Sequence, residues 1–209
     1  AAGLVYAKVR GVALHDRPLT RVTGDLTLDE ALARLEPVDD ALVDAPGLIT
    51  PTLLSRAKAH PRLLEVASRV MLDRPAHEIA RELRSAATRI LSRAEFHPNS
   101  LFTLLHGVTA MDALVTLTRL LPETEAQALV REGVLALLSL RVAYVGRLER
   151  PDRTPRSESL EALRVLAVQT LDEHAIKLAA ALDPIDEPDA SAALCKQCGT
   201  ALDVDVKFC

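Results

Sequence analysis

At 209 residues, 49% hydrophobic and 26% charged, the chain is long enough for one large domain with a small appendage and too apolar to be disordered. A formal net charge of −4 argues against a dedicated nucleic-acid binder, which carries a basic face. An aromatic content of 2% without Trp leaves few platforms on which bases or sugars could stack.

No apolar run reaches the roughly 18 charge-free residues of a membrane span. Ala1 to Arg10 lacks the charged-then-apolar plan of a signal peptide. The sequence opens without an initiator Met, as a piece of a longer protein would. All three cysteines fall at its end, whereas disulfide frameworks spread cysteines through a small domain. Metal binding in a reducing, cytoplasmic setting is therefore expected.

Residues 1 to 10 read as the end of a helix, closed by Gly11 and the region of Pro18. Thr27 followed by Glu30 three residues later is a capping box, opening a short helix with Leu28, Ala31, Leu32 and Leu35 on one face. Residues 37 to 49 form a loop turning at Pro46-Gly47. Thr50 caps a helix to about His60, and Pro61 starts another that ends near Leu72. Pro75 opens a longer helix through Arg93, with Ile79, Leu83, Ala86 and Ile90 at helical spacing. Ser100 caps a helix from Leu101 to Leu121 that is apolar on nearly every side, as befits the middle of a bundle. Pro122 separates it from a helix over Glu123 to Arg147. Residues 148 to 157 form a loop, and one last long helix spans Glu158 to Leu182.

The organisation expected is an all-α multi-helix bundle over 1–182, an acidic proline-bearing linker over 183–194, and a zinc-ribbon-like appendage over 195–209. In that tail Cys195 and Cys198, two residues apart and followed by Gly199, form a zinc knuckle. Lys207-Phe208-Cys209 has the look of the opening of a second knuckle. A structural zinc on Cys195, Cys198 and Cys209, with a fourth ligand unidentified, is the expected cofactor. So small a unit buries too little apolar surface to fold without metal.

Two histidines carry the remaining signal. His106 sits in the most apolar helix, with Thr109 and Thr116 within about 80° on a helical wheel, a narrow polar stripe on what reads as a buried element. On a continuous 158–182 helix, His174 shares a face with Leu163, Ala167, Leu171, Leu178 and Ala181 and also points inward. Glu173 and Lys177 are spaced for an i,i+4 ion pair. A buried imidazole needs a partner. Each His can be satisfied within the core, or both can converge on a pocket as metal ligand, proton shuttle or hydrogen-bond donor. His15, His60, His77 and His97 read as structural. No Glu-x-x-His pair, glycine-rich phosphate loop or nucleophile elbow is present.

The stretch from Leu104 to Ala110, continuing through Ala113-Leu114 to Leu120-Leu121-Pro122, resembles the H-x-V-T … A-L … L-L-P segment of questin oxidase-like proteins. Asp172 to Leu178 is similar to that family's D-x-H-x-I-K segment. The order of the segments and the intervening helix ending in Ala143-Tyr144 also fit. The resemblance covers roughly residues 1 to 182 and the C-terminal part of a typical member. Departures are the missing N-terminal half of the family, with its own histidines, and the cysteine tail.

The resemblance implies an all-helical fold and an oxygen-dependent, NADPH-linked, Baeyer–Villiger-type oxidation of an aromatic polyketide-like substrate. His106, Thr109, Asp172, His174 and Lys177 are then the pocket residues, and NADPH or a redox metal the further cofactor. The rival expectation is a non-catalytic helical scaffold whose zinc ribbon docks a protein partner. Neither reading calls for nucleic acid or membrane, and the oligomeric state is open.

Overall fold

The structure, a computed structural model, describes residues 24–35, 57, 59–93, 98–144 and 159–181. The expected helix over 1–10, the loop over 37–49, the helix beginning at Thr50 up to residue 56, the loop over 148–157, the linker and the cysteine tail all lie outside the described residues. Within them the chain is all-α, with no strand. Seven helices are described: α1 (Leu28–Ala33), α2 (Leu63–Ser68), α3 (Ala76–Arg93), α4 (Pro98–Leu120), α5 (Glu123–Tyr144), α6 (Leu160–Gln169) and α7 (Glu173–Ala181). None is long and apolar enough to cross a membrane.

The capping box at α1 forms as the sequence predicts. Thr27 Oγ1 accepts from the Glu30 amide at 3.2 Å, and the Thr27 amide donates to Glu30 Oε2 at 2.8 Å. The backbone hydrogen bonds satisfy two donors that a helix start would otherwise leave orphaned. Just before it, Leu26 and Val70 make an isolated parallel bridge, with the Leu26 amide on Arg69 O and the Met71 amide on Leu26 O, both at 2.8 Å. Arg69 forks onto the Asp25 carboxylate, with Nη2 at 2.6 Å from Oδ2. This non-local clip explains why α2 stops at Ser68 although its apolar pattern runs to Leu72: the backbone after it bonds across to Leu26.

The core is a three-helix assembly. α3 lays Ile79, Leu83, Ala86 and Ile90 into it, the stripe its periodicity predicts, and packs on both α4 and α5. Two glycines let these helices approach closely. A Cβ on Gly107 would lie 2.7 Å from Leu140 Cδ1, and one on Gly133 would lie 2.6 Å from Leu114 Cδ2 and 3.2 Å from Leu83 Cδ1. All three distances are inside van der Waals contact. The Arg84–Asp112 pair at 3.4 Å ties α3 to α4, and Arg89–Asp29 at 2.7 Å ties α3 to α1. α2 and α1 pack on α5, while α7 packs on α4 and on α6.

The expected single helix from Glu158 to Leu182 is two. Thr170 and Leu171 break it: Leu171 has φ +56°, left-handed backbone that costs a non-glycine residue about 1–2 kcal/mol. Asp172 then starts a new helix by accepting the Ala175 amide on Oδ1 at 3.0 Å, an N-cap interaction. Of the residues read as sharing a face with His174, Leu163, Ala167, Leu178 and Ala181 are buried. Leu171, placed inward by a continuous wheel, is 86% exposed.

Candidate functional site

Glycine decides where His106 points. Gly107 faces Leu140 of α5, and Leu104, Leu105, Val108, Met111, Leu114 and Val115 are buried with it. At 100° per residue these positions centre on the side of α4 opposite His106. His106 is consequently exposed, and the expectation of a buried imidazole is corrected. Thr116 is exposed as well and Thr109 half-buried, so the polar stripe is real but lies on the surface. The helix is apolar in composition yet two-sided in burial, because its outer face carries Ala110, Ala113 and Leu117 among the polar residues.

The hydroxyls of that stripe turn back on their own helix. Thr109 Oγ1 donates to His106 O at 3.2 Å, and Thr116 Oγ1 donates to Asp112 O at 3.4 Å, the local bonding that Ser and Thr make inside helices. On α7, Asp172 is the N-cap. Lys177 Nζ sits 3.2 Å from Glu173 Oε2, the predicted i,i+4 pair, both side chains well exposed. Such a pair is worth only a few tenths of a kcal/mol, about 0.3–0.5. His174 lies on α7, and its side chain lies outside the described residues.

The structure thus brings the two segments of interest together at the level of helices, α4 against α7. It engages Thr109, Asp172 and Lys177 in local interactions. Among the described residues no group of three or more His, Cys, Asp or Glu could hold a metal ion. The zinc ligands expected at Cys195, Cys198 and Cys209 lie outside those residues. On this face Lys177 is paired with Glu173, and an amide of the first turn of α7 is taken by Asp172.

A cleft of about 390 Å³ lies elsewhere, lined by none of these residues. Its walls come from Thr27 and Leu28, from the segment Val70 to Arg74, from α3 and from Val134 of α5. No local pattern announces it, because it exists only once the Leu26–Val70 bridge forms.

Its rim is braced by α5. Glu123 Oε1 accepts the Ala76 amide at 2.9 Å, placing a carboxylate at the N-terminus of α3, where the helix dipole favours negative charge. Gln127 Nε2 donates to Arg74 O at 2.7 Å and to Glu123 at 2.9 Å. The Gln127 side chain and then the Ala76 amide hold the Glu123 carboxyl below its ordinary range. The Arg69 side chain does the same for Asp25, and the Thr27 amide for Glu30.

For carboxyls lowered in the folded state, the stabilisation is fully present above the unfolded values, about 3.9 for Asp and 4.3 for Glu. It is lost as pH falls through the lower folded values. The melting temperature is expected to hold level down to about pH 5 and to fall below about pH 4, with a shallower fall in Glu123→Gln. A melting temperature that rises on acidification through this window would contradict the assignment. Circular-dichroism melts at stepped pH make the measurement.

Comparison with known protein families, with characterised proteins and with solved structures finds no match to this chain.

Proposed function

We propose that the α4–α7 face is the working surface of a questin oxidase-like oxidoreductase acting on an aromatic polyketide-like substrate. The observation that supports this reading is the packing of α4 on α7, the helices on which the two segments resembling that family lie. The reaction class inserts one oxygen atom of O₂ into a carbon–carbon bond beside a carbonyl. The other oxygen leaves as water, with two electrons from NADPH arriving as co-substrate. His106 is the residue that best fits proton transfer: it is exposed, and a neutral imidazole carries one donor and one acceptor nitrogen. His174 is proposed as its counterpart on α7. Thr109, Asp172 and Lys177 take supporting places, shaping the backbone and its charge around the two histidines.

His106→Ala is expected to lower NADPH-dependent oxygen uptake with a hydroxyanthraquinone by about 10²–10⁴-fold, the range general acid–base groups supply. Stability should hold, because an exposed His replaced by Ala improves helix propensity. Unchanged turnover in this variant eliminates the site.

The cysteine tail is proposed as a structural zinc unit, so Cys198→Ser should release zinc and leave oxygen uptake intact. A second reading, a non-catalytic helical scaffold whose zinc ribbon docks a protein partner, is favoured by one specific observation: the cleft and the candidate residues are separate. No oxygen uptake by the wild-type chain with any hydroxyanthraquinone would select it.

A further inference from the structure

We propose that the cleft between the Leu26–Val70 clip, α3 and α5 is a second binding site, for a small organic cation: a protonated amine or amidinium on an apolar, aromatic-sized body. Its volume, about 390 Å³, falls within the range of small-molecule sites, about 300–1,000 Å³. It shares no residue with the α4–α7 face and stands or falls independently of the oxidoreductase reading.

The charge of the rim selects the ligand. Among the described residues three ionisable groups line the cleft: Asp73, Arg74 and Glu82. Arg74 Nη2 is hydrogen-bonded to Glu82 Oε2, so these two neutralise one another. Asp73 is exposed and has no ion-pair partner among the described residues. Asp73 is therefore the uncompensated carboxylate among the described lining residues. An anion would find the guanidinium already taken by Glu82 and the Ala76 amide at the α3 terminus already taken by Glu123. A metal ion would find no set of three ligands among the described residues.

The floor selects the body. Ile79, Leu83 and Val134 back the cleft as core side chains with almost no surface of their own, and half-buried Met71 is the apolar side chain among the described lining residues that has surface to offer. Sulfur of this kind packs favourably against aromatic rings. The backbone carrying Asp73 is pinned on both sides, by Met71 N–H on Leu26 O and by Gln127 on Arg74 O. A ligand entering here orders little that is not already ordered, which is where preorganised sites gain affinity.

The test is a calorimetric and NMR titration of the full chain with benzamidine, against 3-phenylpropionate and benzyl alcohol as anionic and neutral bodies of similar size. Benzamidine is expected to bind one-to-one. Affinity should fall on the order of tenfold in Asp73→Asn, the loss of one charge-assisted hydrogen bond. It should rise in Arg74→Gln, which releases the Glu82 carboxylate to the cleft. Opposite shifts from two neighbouring surface substitutions cannot come from a general loss of fold, and circular dichroism confirms that both variants remain helical. The proposal is overturned by absence of saturable binding up to about 10 mM, by equal affinity of wild type and Asp73→Asn, or by 3-phenylpropionate binding as tightly as benzamidine.

Discussion

Replacing Leu114 by Ala is expected to lower the unfolding free energy by about 2–5 kcal/mol. Leu114 is 2% exposed and stands at the junction of three helices, its Cδ2 against Gly133 of α5 and close to where Leu83 of α3 arrives. Truncation there loses the transfer energy of the buried methyl groups and leaves a cavity. α3, α4 and α5 cannot close over it without shifting together. For a domain whose whole stability is about 5–15 kcal/mol, the variant should melt well below the wild type. Urea unfolding followed by circular dichroism checks this. A loss below about 1 kcal/mol would mean that the three helices do not meet as described.

Gly133→Val is expected to destabilise by about 1–3 kcal/mol. Alanine alone would be nearly balanced. It gains about 1 kcal/mol of helix propensity and presses on the far ends of flexible leucines, which can turn aside. Valine brings two further methyl groups into the same space, between Leu114 and Leu83, with a rotamer that the helix largely fixes. The two substitutions are coupled. Leu114→Ala vacates the volume that Gly133→Val needs, so the double variant should be more stable than the sum of the single losses implies, by about 0.5–3 kcal/mol. Strict additivity would show that Leu114 and Gly133 do not touch.

Elements whose signals are local were legible in the sequence. The Thr27–Glu30 box, the start of α3 after Pro75 and the break at Pro122 follow from capping chemistry and from proline's missing amide, and each appears where expected. α4, by contrast, starts at Pro98 rather than at Leu101, so Ser100 lies in its first turn and is not its cap, because a proline is tolerated in a first turn. The division between α6 and α7 was less legible. No proline or glycine marks it, and a leucine takes the left-handed position that glycine would normally hold. Asp172 beside Glu173 is the only signal there, an N-cap residue followed by an acidic first turn.

The candidate site was legible as residues but not as a surface. The wheel correctly grouped His106 with Thr109 and Thr116, yet α4 is so uniformly apolar that its composition does not say which side faces the core. Gly107 holds that information, through its approach to α5. The cleft was illegible for a different reason. Thr27, Asp73, Glu82 and Val134 are far apart in sequence and meet only through the Leu26–Val70 clip and the packing of α3 on α5.

The claim that chemistry belongs to the α4–α7 face can be read directly by NMR titration of the isotope-labelled chain with a soluble hydroxyanthraquinone. Saturable shifts of the His106 ring signals and of α7 amides, with the amides of Met71, Asp73 and Ile79 unmoved, are the predicted result. Shifts confined to those cleft residues, or no saturable shift at His106, would contradict it.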